Sequence, residues 1–304
     1  MSQPVLRFAP SPNGLLHLGH AASALHNQLQ ARRLGGKVLL RIEDIDVGRT
    51  REEFVAAIEE DLHWIGFEWE GEVRRQSEHF DDYRAAAARL EGMGVLYPCF
   101  ATRAEIDEVA KVSDAPRDPD GAWVYPGLWR GRSAVAVQEQ LARGTPFAMR
   151  LDMAAARKLC RERLAQSCAD LTSPGGSQSA GLGYVEMAAD GEHCERSVDP
   201  VVWGDVVIQR KDVPTSYHLS VVLDDTLQGV THVVRGQDLQ PATGVHRLLQ
   251  VLLDLPEPIY SHHELICGAD GRKLAKSNSD TSLRALREAG WSREDVRREV
   301  GFGS

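Results

Sequence analysis

Two histidines three residues apart, His17 and His20, stand with Gly19 between them in PSPNGLLHLGH, where a Pro- and Gly-rich loop runs into helical spacing. A helix N-terminus presents unpaired backbone N–H groups and the positive end of the peptide dipole, which suits a polyphosphate. Imidazoles on that first turn can reach one phosphate together, and Gly19, lacking a side chain, lets a flat nucleobase lie against the backbone. Far along the chain, Lys273-Leu274-Ala275-Lys276-Ser277 follows the turn GADGR. Two lysines on a Gly-flanked loop are suited to close over phosphates and stabilise charge on a leaving pyrophosphate. Each motif alone has a bland alternative: histidines at a surface turn, and a solvated charged loop.

The elements around these motifs decide whether they meet. Residues 4–9 read as a short strand entering the histidine loop. Residues 19–34 follow as a helix with Leu18, Ala22, Leu25 and Leu29 on one face. KVLLRIED (37–44) is a near-continuous apolar strand ending in carboxylates, and helices are expected at about 51–65 and 81–93. That order predicts an α/β fold with a parallel sheet. Residues 97–150 read as an insertion with a loop at 113–127 and a helix at 133–143. Residues 172–200 are dense in turn formers and predict an irregular, mobile loop. A strand at 205–210, a helix at 217–227, the strand VTHVV (230–234), a helix at about 241–253 and a helical tail complete the chain. The expected parts are therefore a first core half (1–96), an insertion (97–200), a second core half (201–255) and a KLAKS loop with tail (256–304).

A chain of 304 residues can bury a substantial core, and 42% hydrophobic with 26% charged residues is ordinary for a soluble protein. No apolar run is long enough to cross a bilayer and no signal-type leader is evident, so the expected location is cytoplasmic, away from membranes. The net charge of −9 argues against a general nucleic-acid coat protein. The five cysteines are widely spaced without a CxxC pair, which predicts free thiols in a reducing compartment.

Taken together, RFAPSPNGLLHLGH, RIEDID, SYHLSVVLDDTLQGVTHVVRGQDL and KLAKS resemble the class I aminoacyl-tRNA synthetases of the glutamyl/glutaminyl branch, with their HIGH and KMSKS motifs. The resemblance implies a Rossmann-type catalytic core with an inserted acceptor-type subdomain and a short helical C-terminal region. It implies ATP as substrate, accompanied by Mg²⁺, and L-glutamate as the activated amino acid. His17 and His20 would stabilise the α-phosphate, with Gly19, Lys273, Lys276 and Ser277 binding ATP. Arg7, Ala9, Ser11, Glu43, Tyr217 and Arg235 would bind glutamate. That assignment fits the substrate's chemistry: two carboxylates call for cations, which Arg7 and Arg235 offer, and an ammonium calls for an anion such as Glu43. Asp44 and Asp46 are explained as well by capping or loop hydrogen bonds.

The chain departs from the family pattern in three places. Leu274-Ala275 replace the central Met-Ser of KMSKS, which removes one hydroxyl. Short relatives carry zinc ligands at positions that here read Cys99, Ala101, Tyr125 and Trp129, so a structural zinc is expected to be lost. The sequence ends about 27 residues after Ser277, which leads to the expectation of no anticodon-binding domain. In that respect it resembles the glutamyl-queuosine tRNA(Asp) synthetases, which attach glutamate to the queuosine base of tRNA(Asp) rather than to a 3′ end. A monomer is expected. The rival readings are a truncated synthetase that charges a tRNA 3′ end, a non-catalytic glutamate-binding paralogue, and an unrelated nucleotidyltransferase.

Overall fold

Short β-branched and leucine-rich runs bounded by turn residues become parallel strands, and the stretches between them cross back as helices. The computed structural model describes residues 3–170, 181–266 and 281–303, without the side chains of 167–170. The first half runs β1 (Val5–Phe8), α1 (Leu18–Leu34), β2 (Lys37–Ile42), α2 (Glu52–Trp64), β3 (Arg74–Arg75) and α3 (Phe80–Gly92). β1 and β2 pair in parallel from Val5↔Lys37 to Phe8↔Leu40, and β2 pairs in parallel with β3. Gly36 makes the return into β2 possible, because a Cβ there would lie 2.5 Å from the Pro4 carbonyl oxygen.

After α3 come β4 (Leu96–Cys99), α4 (Arg103–Val112), α5 (Ala134–Ala142), β5 (Ala148–Leu151) and α6 (Met153–Asp170). Then come β6 (Gly183–Met187), β7 (His193–Ser197), β8 (Val207–Gln209), α7 (Tyr217–Leu227), β9 (His232–Gly236), α8 (Thr243–Leu253), β10 (Ile259–His263), α9 (Leu283–Glu288) and α10 (Arg293–Glu299). β9 and β10 pair in parallel from Ile259↔His232 to His263↔Gly236. The start of β9 is tied to β1: the Thr231 N–H donates to the Val5 carbonyl at 2.9 Å, and the Val5 N–H donates to Thr231 Oγ1 at 2.8 Å. The strand order thus reverses at the β1–β9 junction, where open α/β sheets bind ligands outside the strands' C-terminal ends.

α1 is buried on two sides, not along the single face read from its leucines. Ala21, Ala24 and Ala31 pack into the cluster of Leu6, Phe8, Leu40 and Ile58. Ala22 and Leu25 pack against Val300 and Phe302 of the C-terminal segment. Alanines on both faces let the sheet and the tail approach the helix closely.

The expected irregular loop at 172–200 is corrected in its described part. Residues 183–197 form an antiparallel hairpin, β6–β7, closed by a tight turn in which the Ala188 N–H donates to the Glu192 carbonyl and Gly191 sits at φ 92°. β6 also pairs in parallel with β10, so the hairpin extends the main sheet in the order β7-β6-β10-β9. The many turn formers obscured five-residue strands whose inward residues include Tyr184 and Glu186. β8 conversely closes the insertion's small sheet, β4-β5-β8. Residue 200 thus lies between a hairpin of the main sheet and a strand of the small sheet. Among the described residues no helix is long and apolar enough to cross a membrane.

Candidate active site

The loop after β1 and the N-terminus of α1 form one side of a cleft of about 500 Å³. His17 is the N-cap of α1 and is 7% exposed. Its Nδ1 accepts from the Gly19 N–H at 3.1 Å, while His20 Nδ1 accepts from the His17 N–H at 3.2 Å. This is a capping box built from two imidazoles in place of a hydroxyl and a carboxylate. An Nδ1 that accepts a backbone N–H carries no proton, so each neutral ring holds its proton on Nε2 as a donor. The ring centroids lie 3.9 Å apart. Gly19 leaves room for this arrangement, since a Cβ there would crowd the His17 ring at 3.0 Å from Cε1.

Arg7 projects from β1 and is 4% exposed, its Nε donating to Asp225 Oδ1 at 2.8 Å. The same oxygen accepts from Arg41 Nη1 at 2.9 Å. Asp224, next along α7, accepts from Arg74 Nε at 2.9 Å, Gln76 Nε2 at 2.7 Å and Tyr83 OH at 2.9 Å. Glu43 lies 3.6 Å from Arg41 Nη2 with its side chain 12% exposed. Burial pushes the Glu43 carboxyl up to about 7, against the opposing pull of Arg41 and Arg7. Asp225 is held below the usual carboxylate range because Arg7 and Arg41 outweigh its burial.

The opposite wall comes from β9, α7 and α8. Arg235, 4% exposed at the end of β9, donates from Nη2 to Thr243 Oγ1 at 2.6 Å, from Nη1 to His246 Nδ1 at 3.1 Å and from Nε to His262 Nε2 at 3.3 Å. Arginine is only a donor, so both accepting imidazole nitrogens are unprotonated. His262 therefore donates from Nδ1 to Glu186 Oε1 at 2.9 Å, and His246 from Nε2 to His218 Nδ1 at 3.3 Å. Burial first, and Arg235 second, lower His262 and His218 to about 4 and hold His246 well below its ordinary value. Tyr217, on the first turn of α7, packs its ring 5.5 Å from that of His246; burial raises its hydroxyl above the usual range.

The cleft brings together every predicted site residue in the described part of the chain: Arg7, Ala9, Ser11, His17, Gly19, His20, Glu43, Tyr217 and Arg235. Lys273, Lys276 and Ser277 lie outside the described residues. On either side of that segment, Leu265 and Ile266 line the cleft, and Ser282 forms a backbone bridge to His17. Asp44 has a local structural role, accepting from the Ser77 N–H, Ser77 Oγ and Arg75 Nε at 2.8, 2.7 and 3.0 Å.

Asn27, Asp238 and His263 also line the cleft and were missed, as were His246, His262, Thr243 and Glu186 behind it. Asn27 was detectable as a polar residue in an alanine-rich helix, where its amide reaches the Val234 carbonyl at 3.1 Å. The histidines gave no signal, because their spacing is that of an apolar helix and a short strand.

The four family zinc positions also converge, but on packing. The Cys99 thiol donates to the Tyr125 hydroxyl at 3.3 Å, which accepts from the Trp129 N–H at 2.8 Å. Ala101, Leu128 and Trp129 fill the remaining space, and the Trp129 ring meets Phe100 edge-on at 4.8 Å. One thiol and one phenol do not fit a tetrahedral zinc site.

Comparison with known proteins gives a consistent picture. Residues 4–165 and 188–301 match the family described as tRNA synthetases class I (E and Q), catalytic domain. A Rhodobacter capsulatus protein named glutamyl-Q tRNA(Asp) synthetase is 42% identical over 98% of this chain and 100% of its own length. An Aquifex aeolicus glutamate–tRNA ligase is 36% identical over 97% of this chain, which spans 56% of that relative. The crystal structure of a glutamate tRNA ligase from Elizabethkingia meningosepticum, in complex with its amino acid, superposes with a TM-score of 0.70 at 26% identity, covering 95% of this chain and 54% of the other.

Proposed function

The chain belongs to the class I tRNA synthetases of the glutamate and glutamine branch, and on that premise we propose that it activates L-glutamate with ATP and transfers it to the queuosine base of tRNA(Asp). The observation that carries the activation step is that two arginines, a glutamate and the paired imidazoles of α1 line one cleft. Arg7 and Arg235 take the two substrate carboxylates, Glu43 and the Tyr217 hydroxyl take the ammonium side, and Ala9 and Ser11 shape the floor. A carboxylate oxygen attacks the α-phosphorus, the bond to the bridging oxygen breaks, and pyrophosphate leaves with the electron pair. His17 and His20 donate from Nε2 to the α-phosphate oxygens as charge develops, with Gly19 beside the nucleotide. Lys273, Lys276 and Ser277 bind the departing phosphates, and Mg²⁺ comes with the ATP. No enzyme nucleophile is needed, so catalysis is positioning plus charge stabilisation. The insertion works without structural zinc, its apolar packing taking the metal's place.

The queuosine acceptor is supported by the full-length match to the relative bearing that name. Transfer of labelled glutamate to tRNA from queuosine-containing and queuosine-deficient cells tests it. Label only on queuosine-containing tRNA, and none when that tRNA is treated with periodate beforehand to cleave the base's diol, is the expected result. Equal labelling of both pools would instead make the chain a 3′-end charging enzyme.

A further inference from the structure

The two arginines of the cleft are supported by opposite chemistry. Arg7 shares a carboxylate, Asp225, with Arg41. The hydrogen-bond partners of Arg235 among the described residues are neutral: a threonine hydroxyl and two imidazole nitrogens. The Tyr260 ring lies 5.3 Å from the guanidinium carbon and adds a second neutral face. The nearest acid in this network, Glu186, is one imidazole removed from the arginine and is itself paired with Arg196 at 2.7 Å. Three of the five guanidinium N–H groups are used, which leaves one on each Nη for a ligand.

From this geometry we infer that His246 and His262 are positioning residues that keep Arg235 a fixed cation without a counter-ion, so that the cleft selects a substrate carrying a second carboxylate. A buried guanidinium with only neutral neighbours is relieved by an incoming carboxylate and stays uncompensated against an amide. Imidazole suits the task because it offers a lone pair without a negative charge. Its far nitrogen is anchored, in His262 by Glu186 on the β6–β7 hairpin and in His246 by His218. The inference rests on the reading of this cleft as a glutamate site.

Isosteric pairs separate the lone pair from the charge. His246→Asn places an amide oxygen near Nδ1, whereas His246→Asp places a carboxylate there; His262→Gln and His262→Glu do the same near Nε2. In glutamate-dependent ATP–pyrophosphate exchange, the amide variants should keep the KM for glutamate within about threefold. The acid variants should raise it about 30-fold with the KM for ATP unchanged. Thermal stabilisation by L-glutamate should shrink in the acid variants, and the preference for glutamate over glutamine should narrow. Equal effects of amide and acid at both positions, or acid variants that match the wild type, would overturn the inference while leaving the glutamate site intact. A wild-type protein that L-glutamate neither stabilises nor drives into exchange would overturn both. Should one acid variant fail to fold, the pair at the other histidine gives the same reading.

Discussion

The Arg7 wall and the Arg235 wall of the cleft hold the same functional group by different means. On the first, Arg7, Arg41 and Arg74 interlock with Asp224 and Asp225, with Glu43 beside Arg41, so that each guanidinium has a carboxylate partner before any ligand arrives. On the second, an equally buried arginine is cradled by neutral groups. The first wall thus serves the architecture as well as the ligand, joining β1, β2 and β3 to α7 through its ion pairs. The second is poised for a ligand. A buried ion pair contributes little net stability when intact, but removing one partner is costly. The walls should therefore fail differently when cut.

The largest expected effect breaks the first wall. Asp225→Ala strands two guanidiniums away from water, and urea unfolding should show a loss of about 3–5 kcal/mol. A loss below about 1 kcal/mol would mean that the wall is not electrostatically closed. On the second wall Arg235→Ala should act on the ligand, raising the glutamate KM about 300-fold and leaving the KM for ATP nearly unchanged. Equal weakening of both substrates would merge the two walls into one structural unit. Between the walls, His20→Ala should lower kcat for exchange about 100-fold, with a smaller change in KM; an unchanged kcat would remove His20 from the chemistry.

The smallest effect is a pH dependence at the rim of the first wall. Burial raises the Glu43 carboxyl to about 7, and the ionised form is the one that pairs with an ammonium. The ionised fraction grows as pH rises through 7, so the glutamate KM should fall about tenfold between pH 6 and 8. A flat profile, or a KM that rises with pH, would contradict the role given to Glu43.

The first wall was largely legible in the sequence, and the second only at its tip. Arg7, Glu43 and the imidazole pair lie on a continuous strand–loop–helix–strand stretch, where local order places them at neighbouring sheet ends. Arg235 was found as the end of a strand. Its support comes from Thr243 and His246 on α8, and from Glu186 and His262, which the parallel pairing of β6, β10 and β9 brings beside it. Glu186 was lost with its hairpin, because Gly, Ser and Asp around residues 172–200 hid two short alternating strands. Pairing between segments separated by a helix has no local signature, and the neutral state of His246 and His262 depends on a donor more than ten residues away. The zinc positions were legible as a loss of ligands. The thiol–phenol hydrogen bond that accompanies the loss was not.

The most direct test of the account is ATP–pyrophosphate exchange by the purified protein without tRNA, with L-glutamate or L-glutamine as the amino acid. Exchange with glutamate, little with glutamine, and loss of the glutamate signal in Arg235→Ala are the expected results. Exchange with glutamine equal to that with glutamate, or none with either, would contradict it.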